Sequence, residues 1–465
     1  MKALRATLRV ARLARDESAG VSLIEVIVAM MIFAIISVGV AYSLLSAFSL
    51  TNDSRSRAVA TNLAAQEIDL DRSAADIFAL QSTLDNAPKT VQVPSGTGTT
   101  YSIERDVSWV YNSGSDVDCN ASAPSSLLYK RIHVSITWPK MIGAPVVADT
   151  LFAPSSKISI DTLGTILVST KSATGSPVSG VSVSISPNPG STPTATDVAG
   201  CSYVLKVPPG SYTVSVTRAG YIDPQQNTAP SRTVTVKAGT STSAGFTYDE
   251  AGTIGMSYPS GGVQIPNNLI DTFTSSNGVY NTAATTPGSV KLFPSTEYDA
   301  FPGAFVAKTS SNAGCVSPDP GQWPDTTDAQ GHTLRAPAPA AVPSFAAGAS
   351  VTVPRFPMGS VTVTNTNGTT GNLYLVATSA LSAVPGDPGC SGKPQSLAFT
   401  TLLGKSKGNT LTVALPYGSW TLAWGTSANP TTLVPSASLT VPSGTTGTKI
   451  GLLGVVTLDP RVVVP

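Results

Sequence analysis

One long apolar stretch near the N-terminus constrains this chain more than any other feature. Residues 26–50 are almost unbroken in apolar character, and Glu25 is the only charged residue between Gly20 and Leu50. A helix from Val21 to Leu50 would be roughly 45 Å long at about 1.5 Å per residue. That length exceeds the hydrocarbon core of a bilayer, which is about 30 Å thick. The sequence therefore predicts a membrane-spanning helix.

A basic leader precedes this helix and predicts its orientation. Five basic residues lie in the first 20 positions, and two acidic residues, Asp16 and Glu17, close the leader. Positive segments next to a span stay on the cytoplasmic side. We therefore expect everything after residue 50 to lie outside the cytoplasm.

The single carboxylate in the apolar stretch predicts a functional site. A charged group at such a position is costly and is by default a functional hypothesis. Cleavage after Gly20 would create a free amine on Val21, and Glu25 would become the fifth residue of the mature chain. The amine and the carboxylate could then neutralise each other, within one chain or between neighbouring helices in an apolar bundle.

This arrangement resembles the type IV prepilin leader, in which a basic leader, a glycine and a short tetrad precede a glutamate that opens an apolar helix. The matching residues are Gly20, Val21, Ser22, Leu23, Ile24 and Glu25. The resemblance implies that a prepilin peptidase cuts after Gly20 and methylates Val21, and that Glu25 takes part in subunit docking. One departure is that the first mature residue is Val21, where the family usually has phenylalanine.

Two other interpretations of the N-terminus fit less well. A secretory signal has an apolar core of about 7 to 15 residues followed by a small-x-small cleavage site, and the run here is longer. An uncleaved single-span anchor remains open, but it leaves the positions of Gly20 and Glu25 unexplained.

Composition predicts a strand-rich exterior region of near-neutral charge. The 465 residues allow two to four domains. Only 12% of the residues are charged, and 40 glycines and 36 prolines favour short strands with many turns. Removing five of the 28 basic and two of the 27 acidic residues with the leader leaves 23 and 25, a net charge of −2. Such a chain offers no electrostatic reason to bind nucleic acid.

Four cysteines predict disulfide bonds outside the cytoplasm. They are Cys119, Cys201, Cys315 and Cys390. An even number allows two bridges with three connectivities. We favour the pairs Cys119–Cys201 and Cys315–Cys390, and free cysteines remain the alternative. A zinc site is not expected, because the chain has no C-x-x-C pair and both histidines lie far from any cysteine.

Residues 51–160 predict the amphipathic half of one long helix, followed by a sheet. The helical spacing continues to residue 87, with Val59, Leu63 and Ile68 among its apolar positions. The helix would pack this apolar face on the sheet. Residues 129–138 alternate as a strand that places His133 on the polar face.

Two polar features of this region carry no chemistry in our interpretation. We interpret His133 as an exposed strand histidine. Residues 116–120 begin like a calcium loop but lack the required glycine and the later glutamate. We interpret them as a polar turn.

From residue 163 the sequence resembles the carboxypeptidase regulatory-like (prealbumin-like) β-sandwich. The resemblance covers about residues 163–248. Its matching residues are Pro177, Val178, Gly180, Val181, Val183, Thr196, Asp197, Gly200, Pro208, Pro209, Gly210, Tyr212 and Val214. It implies a spacer and display module without a catalytic site.

Fragments of the same pattern recur further along the chain. Residues 357–363 and 416–422 resemble Pro208–Val214, and residues 327–331 resemble Thr196–Gly200. The repeats predict tandem modules. Gly359 could open a module or close one.

One motif suggests hydrolase chemistry but lacks its context. Gly404-Lys-Ser-Lys-Gly408 matches the G-x-S-x-G nucleophile pattern. That motif needs a strand–turn–helix and a later histidine, and no histidine follows His332. We interpret the segment as a hairpin turn and expect no enzyme activity, cofactor or metal.

Together these features predict an α+β protein, with a long N-terminal transmembrane helix packed on a pilin-like sheet and followed by tandem all-β sandwich modules. The expected segments are a leader (1–20), a transmembrane assembly helix (21–50), a pilin-like domain (51–160) and modules at 161–250, 251–354 and 355–465. The predicted function is a minor pilin-like subunit of a type IV pilus or related filament.

The partners that the resemblance implies are other pilin subunits, the assembly machinery, the prepilin peptidase and, before assembly, the cytoplasmic membrane. The filament would then display the modules at the cell surface for adhesion or a tip role, toward a ligand that the sequence does not identify. The alternatives are a pseudopilin of a secretion or DNA-uptake apparatus and an uncleaved, membrane-anchored display protein.

Overall fold

A computed structural model gives the fold. It describes residues 22–73, 77, 80–83, 88–92, 98–111, 113–117, 119–153, 160–283, 288–380, 386–443, 447–452 and 454–464. These form two compact units: unit 1 runs to Ser108 and adds Lys130–Phe152, and unit 2 comprises Trp109–Tyr129 and the chain from Ala153. One long apolar helix is followed by many strands in several sheets. The predicted α+β class is confirmed.

Helix α1 spans Leu23–Arg72, a length of 50 residues. It is continuous because no proline interrupts this range and its only glycine is Gly39. The helix continues past the apolar run, so the prediction of a single long helix is confirmed over this range.

The prediction that the helix reaches residue 87 is wrong. The backbone N–H of Ser73 donates to Asp69 O, and the Ser73 hydroxyl donates to Leu70 O at 2.6 Å. These bonds satisfy carbonyls that have no partner at a helix end. Beyond this cap, the side chains of Ile77 and Leu80 are buried, with 7% and 4% of their surface exposed.

Unit 1 contains most of a four-stranded sheet, which is covered by the second half of α1. Its strands are β1 (Lys89–Gln92), β2 (Thr100–Tyr111), β3 (Leu127–Thr137) and β4 (Val146–Phe152), in the spatial order β1-β2-β3-β4. Strand β3 alternates as predicted: Ile132, Val134 and Ile136 are fully buried, while His133 lies on the opposite face.

The helix packs on this sheet through a different stripe from the one that the sequence suggested. Its buried residues are Ala60, Ala64, Glu67 and Asp71, whose spacing of three or four places them on one face. Val59, Leu63 and Ile68 are only partly buried at the edges of the core. Two alanines allow the helix to approach the sheet closely.

Unit 2 contains the remaining strands. The first group is β5 (Gly164–Lys171), β6 (Ser182–Ser186), β7 (Cys201–Val207), β8 (Gly210–Thr217), β9 (Tyr221–Ile222), β10 (Ser231–Val236), β11 (Ser241–Thr247) and β12 (Asp249–Glu250). The second is β13 (Gly252–Gly255), β14 (Val263–Gln264), β15 (Asp271–Ser275), β16 (Gly278–Asn281), β17 (Ser289–Leu292), β18 (Tyr298–Pro302), β19 (Thr326–Thr327), β20 (Thr333–Arg335), β21 (Ala340–Val342) and β22 (Ser350–Thr352).

The third group is β23 (Gly359–Thr364), β24 (Tyr374–Ser379), β25 (Ser396–Ala398), β26 (Thr410–Leu415), β27 (Gly418–Gly425), β28 (Thr432–Leu433), β29 (Leu439–Thr440), β30 (Thr448–Ile450), β31 (Val455–Leu458) and β32 (Val462–Val463). Two single turns of 3₁₀ helix, at Pro320–Gln322 and Ser436–Ser438, complete the described elements.

The first group of strands forms two facing three-stranded sheets. Their spatial orders are β11-β5-β7 and β10-β8-β6. Both sheets contribute to one core, in which Ile166, Val168, Val214 and Val216 are fully buried. Seven of the eight residues of the central strand β5 are buried, which fits a strand covered on both faces. This region is therefore a β-sandwich.

The Thr196–Gly200 motif forms a tight turn that requires its glycine. Gly200 has φ +72, and a Cβ there would lie 2.5 Å from Thr170 O. The Asp197 carboxylate accepts the backbone N–H groups of Ala199 and Cys201. The related segment at residues 327–331 repeats these bonds, but it connects β19 to β20. The recurrence is therefore one of local turn geometry.

The Pro-x-Gly-Ser-aromatic motif also recurs as structure. The Tyr212 hydroxyl donates to Pro208 O at 3.0 Å, and the Trp420 indole N–H donates to Pro416 O at 2.8 Å. Each bond spans the corner that leads into a core strand, β8 or β27. The aromatic residue suits this position because its ring fills the core while its polar atom holds the corner.

We expect Tyr212→Phe to lower the free energy of unfolding by about 1 kcal/mol, the usual net value of one hydrogen bond. Tyr212 is 6% exposed, so the ring stays in the core and only the bond is lost. Guanidinium denaturation of the chain in detergent measures the change. Tyr374→Phe is the matched control, because its hydroxyl has no hydrogen-bond partner among the described residues. If both substitutions lowered the free energy of unfolding equally, the hydrogen bond from Tyr212 to Pro208 would not be stabilising.

Strand pairing repeats along unit 2. Strand β5 pairs antiparallel with β7 and parallel with β11, and β13 pairs antiparallel with β17 and parallel with β22. Strand β23 differs, because both of its partners, β26 and β29, are antiparallel to it. Gly359 is the first residue of this strand, and whether it opens or closes a module stays a prediction.

Two strand pairs cross the predicted boundary between residues 354 and 355. Strand β14 adds to β26 in parallel, and β20 pairs with β32. The module boundaries therefore stay a prediction, and any modules here exchange strands with each other. Pairs so distant in sequence leave no local pattern that could predict them.

Candidate functional site: the first half of helix α1

The carboxylate singled out by the sequence lies in the first turn of α1. Ser22 precedes the helix in an extended conformation, and its carbonyl accepts the N–H groups of Glu25 and Val26 at 2.9 and 3.2 Å. Glu25 is exposed and has no ion-pair partner in the described part of the chain. A carboxylate is favoured at this helix end by the backbone dipole, and its exposed position allows it to meet a cation from another chain.

The first half of the helix is uncovered. Every residue from Ser22 to Asn52 is exposed, and large apolar side chains such as Leu23, Met30 and Phe33 are 79%, 68% and 72% exposed. By length and composition this helix qualifies as a membrane span. An apolar surface of this extent marks a membrane or protein interface. The surface therefore requires lipid or other protein around it.

The predicted cleavage and methylation sites cannot be placed beside this carboxylate. Gly20 and Val21 lie outside the described residues. Processing after Gly20 and N-methylation of Val21 therefore stay predictions.

The predicted disulfide pairs are confirmed. Cys119 bonds to Cys201, and Cys315 bonds to Cys390. The first bridge connects the segment between β2 and β3 to the start of β7, and the second connects segments of the second and third strand groups. Both bridges lie within unit 2. Disulfides of this kind fit an oxidising compartment.

Other candidate residues form no catalytic site in the described part of the chain. His133 Nδ1 lies 2.7 Å from Asp149 Oδ1 on an exposed sheet face, and His332 pairs in the same way with Asp328 at 2.9 Å. Residues 404–408 form a turn with an exposed Ser406. The predicted hairpin is wrong, because Leu403 pairs with Leu373 while β26 pairs with β23 and β14. No cluster of metal-binding side chains occurs in the described residues.

The structure also contains a buried carboxyl group that the sequence did not predict. Asp271 is 2% exposed and accepts a hydrogen bond from the Tyr258 hydroxyl. Its second oxygen, Oδ1, has no partner among the described residues. Burial raises the pKa of Asp271 to about 7, and it also raises the pKa of Tyr258. The sequence feature that could have indicated this buried group is one acidic residue between Leu269-Ile270 and Phe273 in a strand-like stretch.

Comparison with known proteins identifies the N-terminal motif. Residues 15–41 match the family described as "Prokaryotic N-terminal methylation motif". The match contains Gly20, Glu25 and the start of the apolar helix. The chain therefore carries a prepilin-type N-terminal motif, which supports a structural subunit of pilin type. No curated protein matches the chain at a significant level.

Solved structures show only weak likeness to the chain. The Bacillus anthracis TIE protein is 13% identical, with 86% of this chain and 76% of that one covered and a TM-score of 0.20. BcpA, the major pilin subunit of Bacillus cereus, is 12% identical, with 63% of this chain and 95% of that one covered and a TM-score of 0.17. A streptococcal ancillary pilin is 10% identical, with 57% of this chain and 94% of that one covered and a TM-score of 0.18. At these TM-scores the likeness does not establish a shared fold or role.

Proposed function

We propose that this chain is a minor pilin-like subunit of a type IV pilus or related filament. It is inserted as a precursor, cleaved after Gly20, methylated on Val21 and assembled through the first half of α1. The observation that carries the proposal is the uncovered apolar helix with Glu25 in its first turn, inside the matched methylation motif. Lipid covers this surface before assembly, and neighbouring helices cover it afterwards.

The chain after residue 160 serves as the displayed region in this proposal. Sandwich strands, two disulfides and hydrogen-bonded corners give a rigid structure that suits an exposed position outside the cytoplasm. We propose tandem modules at 161–250, 251–354 and 355–465, of which the last two exchange strands. A display region of this size exceeds what packing the helix requires, which favours a minor subunit with an adhesive or tip role.

We expect Gly20→Ala to slow processing by roughly tenfold or more, because a methyl group would enter the site of a peptidase that requires glycine there. Precursor that retains residues 1–20 should accumulate in the membrane. Intact mass and N-terminal analysis measure the fraction processed and the methylation of Val21. A wild-type chain that still begins at Met1 would contradict the proposal and favour the uncleaved anchor.

Gly39→Ala provides the matched control for this experiment. Gly39 lies in the apolar run that follows the cleavage position, and a Cβ added there meets no atom within 4 Å. The control makes the same chemical change within the helix, and we expect normal processing. Slow processing of both variants would show that the effect comes from the helix and not from the cleavage position.

A pseudopilin of a secretion or DNA-uptake apparatus is the second candidate, because the same N-terminal motif serves it. Electron microscopy distinguishes the two, since a pilus subunit labelled in the third strand group should decorate extended surface filaments.

A further inference from the structure

A cavity lined by both polar and apolar groups lies in unit 1 at the end of the apolar run. It has a volume of about 730 Å³. One wall is the helix face that carries Ser49, Asn52 and Ser56, and the opposite wall includes Trp138 and Lys140 after strand β3. The three helical residues recur every three or four positions, so they face the cavity together. None of their side chains makes a hydrogen bond within the described residues.

Two cations line this cavity. Arg55 and Lys140 are both exposed. Neither has a hydrogen-bond or ion-pair partner in the part of the chain that the structure describes. Positive charges that line one concave surface repel each other, and a bound anion would reduce that repulsion.

The one carboxylate among the described lining residues, Asp53, is already neutralised. It accepts the Nε–H of Arg57 at 3.0 Å and the backbone N–H of Ile142 at 3.1 Å. Arg57 also donates to Ile142 O and to Ala144 O, and its guanidinium lies 5.6 Å from the Trp138 ring centre. These bonds hold the loop that carries Lys140 against α1. The net charge of the cavity lining is therefore positive.

The position of the cavity along the helix suggests the source of the anion. The 25 residues from Val26 to Leu50 extend for roughly 37 Å, about 7 Å more than the hydrocarbon core. The end of the apolar run then lies at the level of the lipid headgroups. Arg55 is about one and a half turns further along, and a long cationic side chain can reach down to the phosphates.

We propose that this cavity binds the phosphate headgroup of an anionic phospholipid while the subunit is in the membrane. Arg55 and Lys140 contact the phosphate, and the hydroxyl and amide groups of Ser49, Asn52 and Ser56 donate hydrogen bonds to the headgroup. The inference rests on the proposed membrane-inserted stage. It assigns a lipid-binding role to the region where the helix enters the head domain.

The test uses the full chain purified in detergent. Native mass spectrometry counts bound phosphatidylglycerol and phosphatidylcholine after equal additions of each. We expect the wild type to prefer phosphatidylglycerol. In Arg55→Ala/Lys140→Ala this preference should fall by roughly twenty-five-fold, since each cation near an anionic lipid contributes about fivefold. An excess of inorganic phosphate should not displace the lipid, because acyl-chain contacts hold it as well.

Lys405→Ala/Lys407→Ala is the matched control. It removes the same charge from an exposed turn of unit 2, and it should retain the wild-type preference. Equal lipid binding in both double variants would overturn the proposal, as would a wild type without preference for phosphatidylglycerol. Complete displacement by inorganic phosphate would also overturn it, because the site would then take a free anion. Near-ultraviolet circular dichroism of each variant checks that the head is folded.

The same samples separate this proposal from the filament proposal. A processed, methylated N-terminus without lipid preference would remove only the headgroup site. A lipid preference in a chain that retains residues 1–20 would remove the filament proposal and leave the headgroup site in place.

Discussion

Glu25→Ala is expected to leave cleavage after Gly20 largely intact and to reduce incorporation into filaments by roughly tenfold or more. The physical reason is the free amine that cleavage creates on Val21. An amine inside an apolar helix bundle needs a carboxylate partner, and removal of one member of a buried pair is strongly unfavourable. Glu25 is the only carboxylate between Gly20 and Leu50, so no neighbouring residue of the helix can replace it.

The measurement is the ratio of filament-bound to membrane-bound subunit, by quantitative immunoblotting of sheared filaments. Glu104→Ala, which removes an exposed carboxylate from β2, is the matched control and should assemble normally. Glu25→Gln separates charge from hydrogen bonding, because it keeps the shape and loses the charge. Normal incorporation of Glu25→Ala would remove the docking role from this residue.

The buried Asp271 should make the stability of the second strand group depend on pH. Burial holds its pKa at about 7, above the ordinary 3.8. The folded state therefore binds a proton that the unfolded state has lost between these two values. Stability should be greatest below about pH 4, fall as the pH rises to about 7, and stay level above that. A difference of about 3 in pKa corresponds to roughly 4 kcal/mol.

Hydrogen exchange of peptides from β13 to β18, corrected for the intrinsic exchange rate at each pH, measures this change as a local opening free energy. Asp271→Asn should remove the pH dependence, because the amide stays neutral. Asp325→Asn is the control. Asp325 is exposed and paired with Arg335, and the hydrogen bond from Arg335 lowers the pKa of Asp325 below its ordinary value. Asp325 therefore titrates below the pH range in which Asp271 changes charge. If the Asp271→Asn variant kept the wild-type dependence of opening free energy on pH, another titrating group would be responsible.

More of the candidate site than of the rest of the molecule could be predicted from the sequence. The position of Glu25 depends only on a helix that follows from an uninterrupted apolar run, and its exposure follows from the length of that run. The cavity beside Arg55 could not be predicted in this way. Its second wall comes from residues after β3, and the Arg57 bonds that hold this wall in place join residues 85 and 87 positions apart, so they have no local signature.

Asp271 illustrates a similar limit. Its strand could be expected from the apolar residues around it, but its burial and its bond to Tyr258 depend on residues outside that strand. A lone acidic residue in a strand is more often on the exposed face. Only the packed structure shows that this one is buried with one oxygen unpaired by any described residue.

The sequence by itself determined the features that depend on local periodicity and composition. These are the long helix, the alternation in β3, and the recurring aromatic motifs at Tyr212 and Trp420. Tertiary structure alone decided where α1 ends, which stripe of α1 is buried, and which distant strands join the same sheet. The reason is that a helix or strand repeats within a few residues, whereas capping, burial and the pairing of β14 with β26 depend on partners far along the chain.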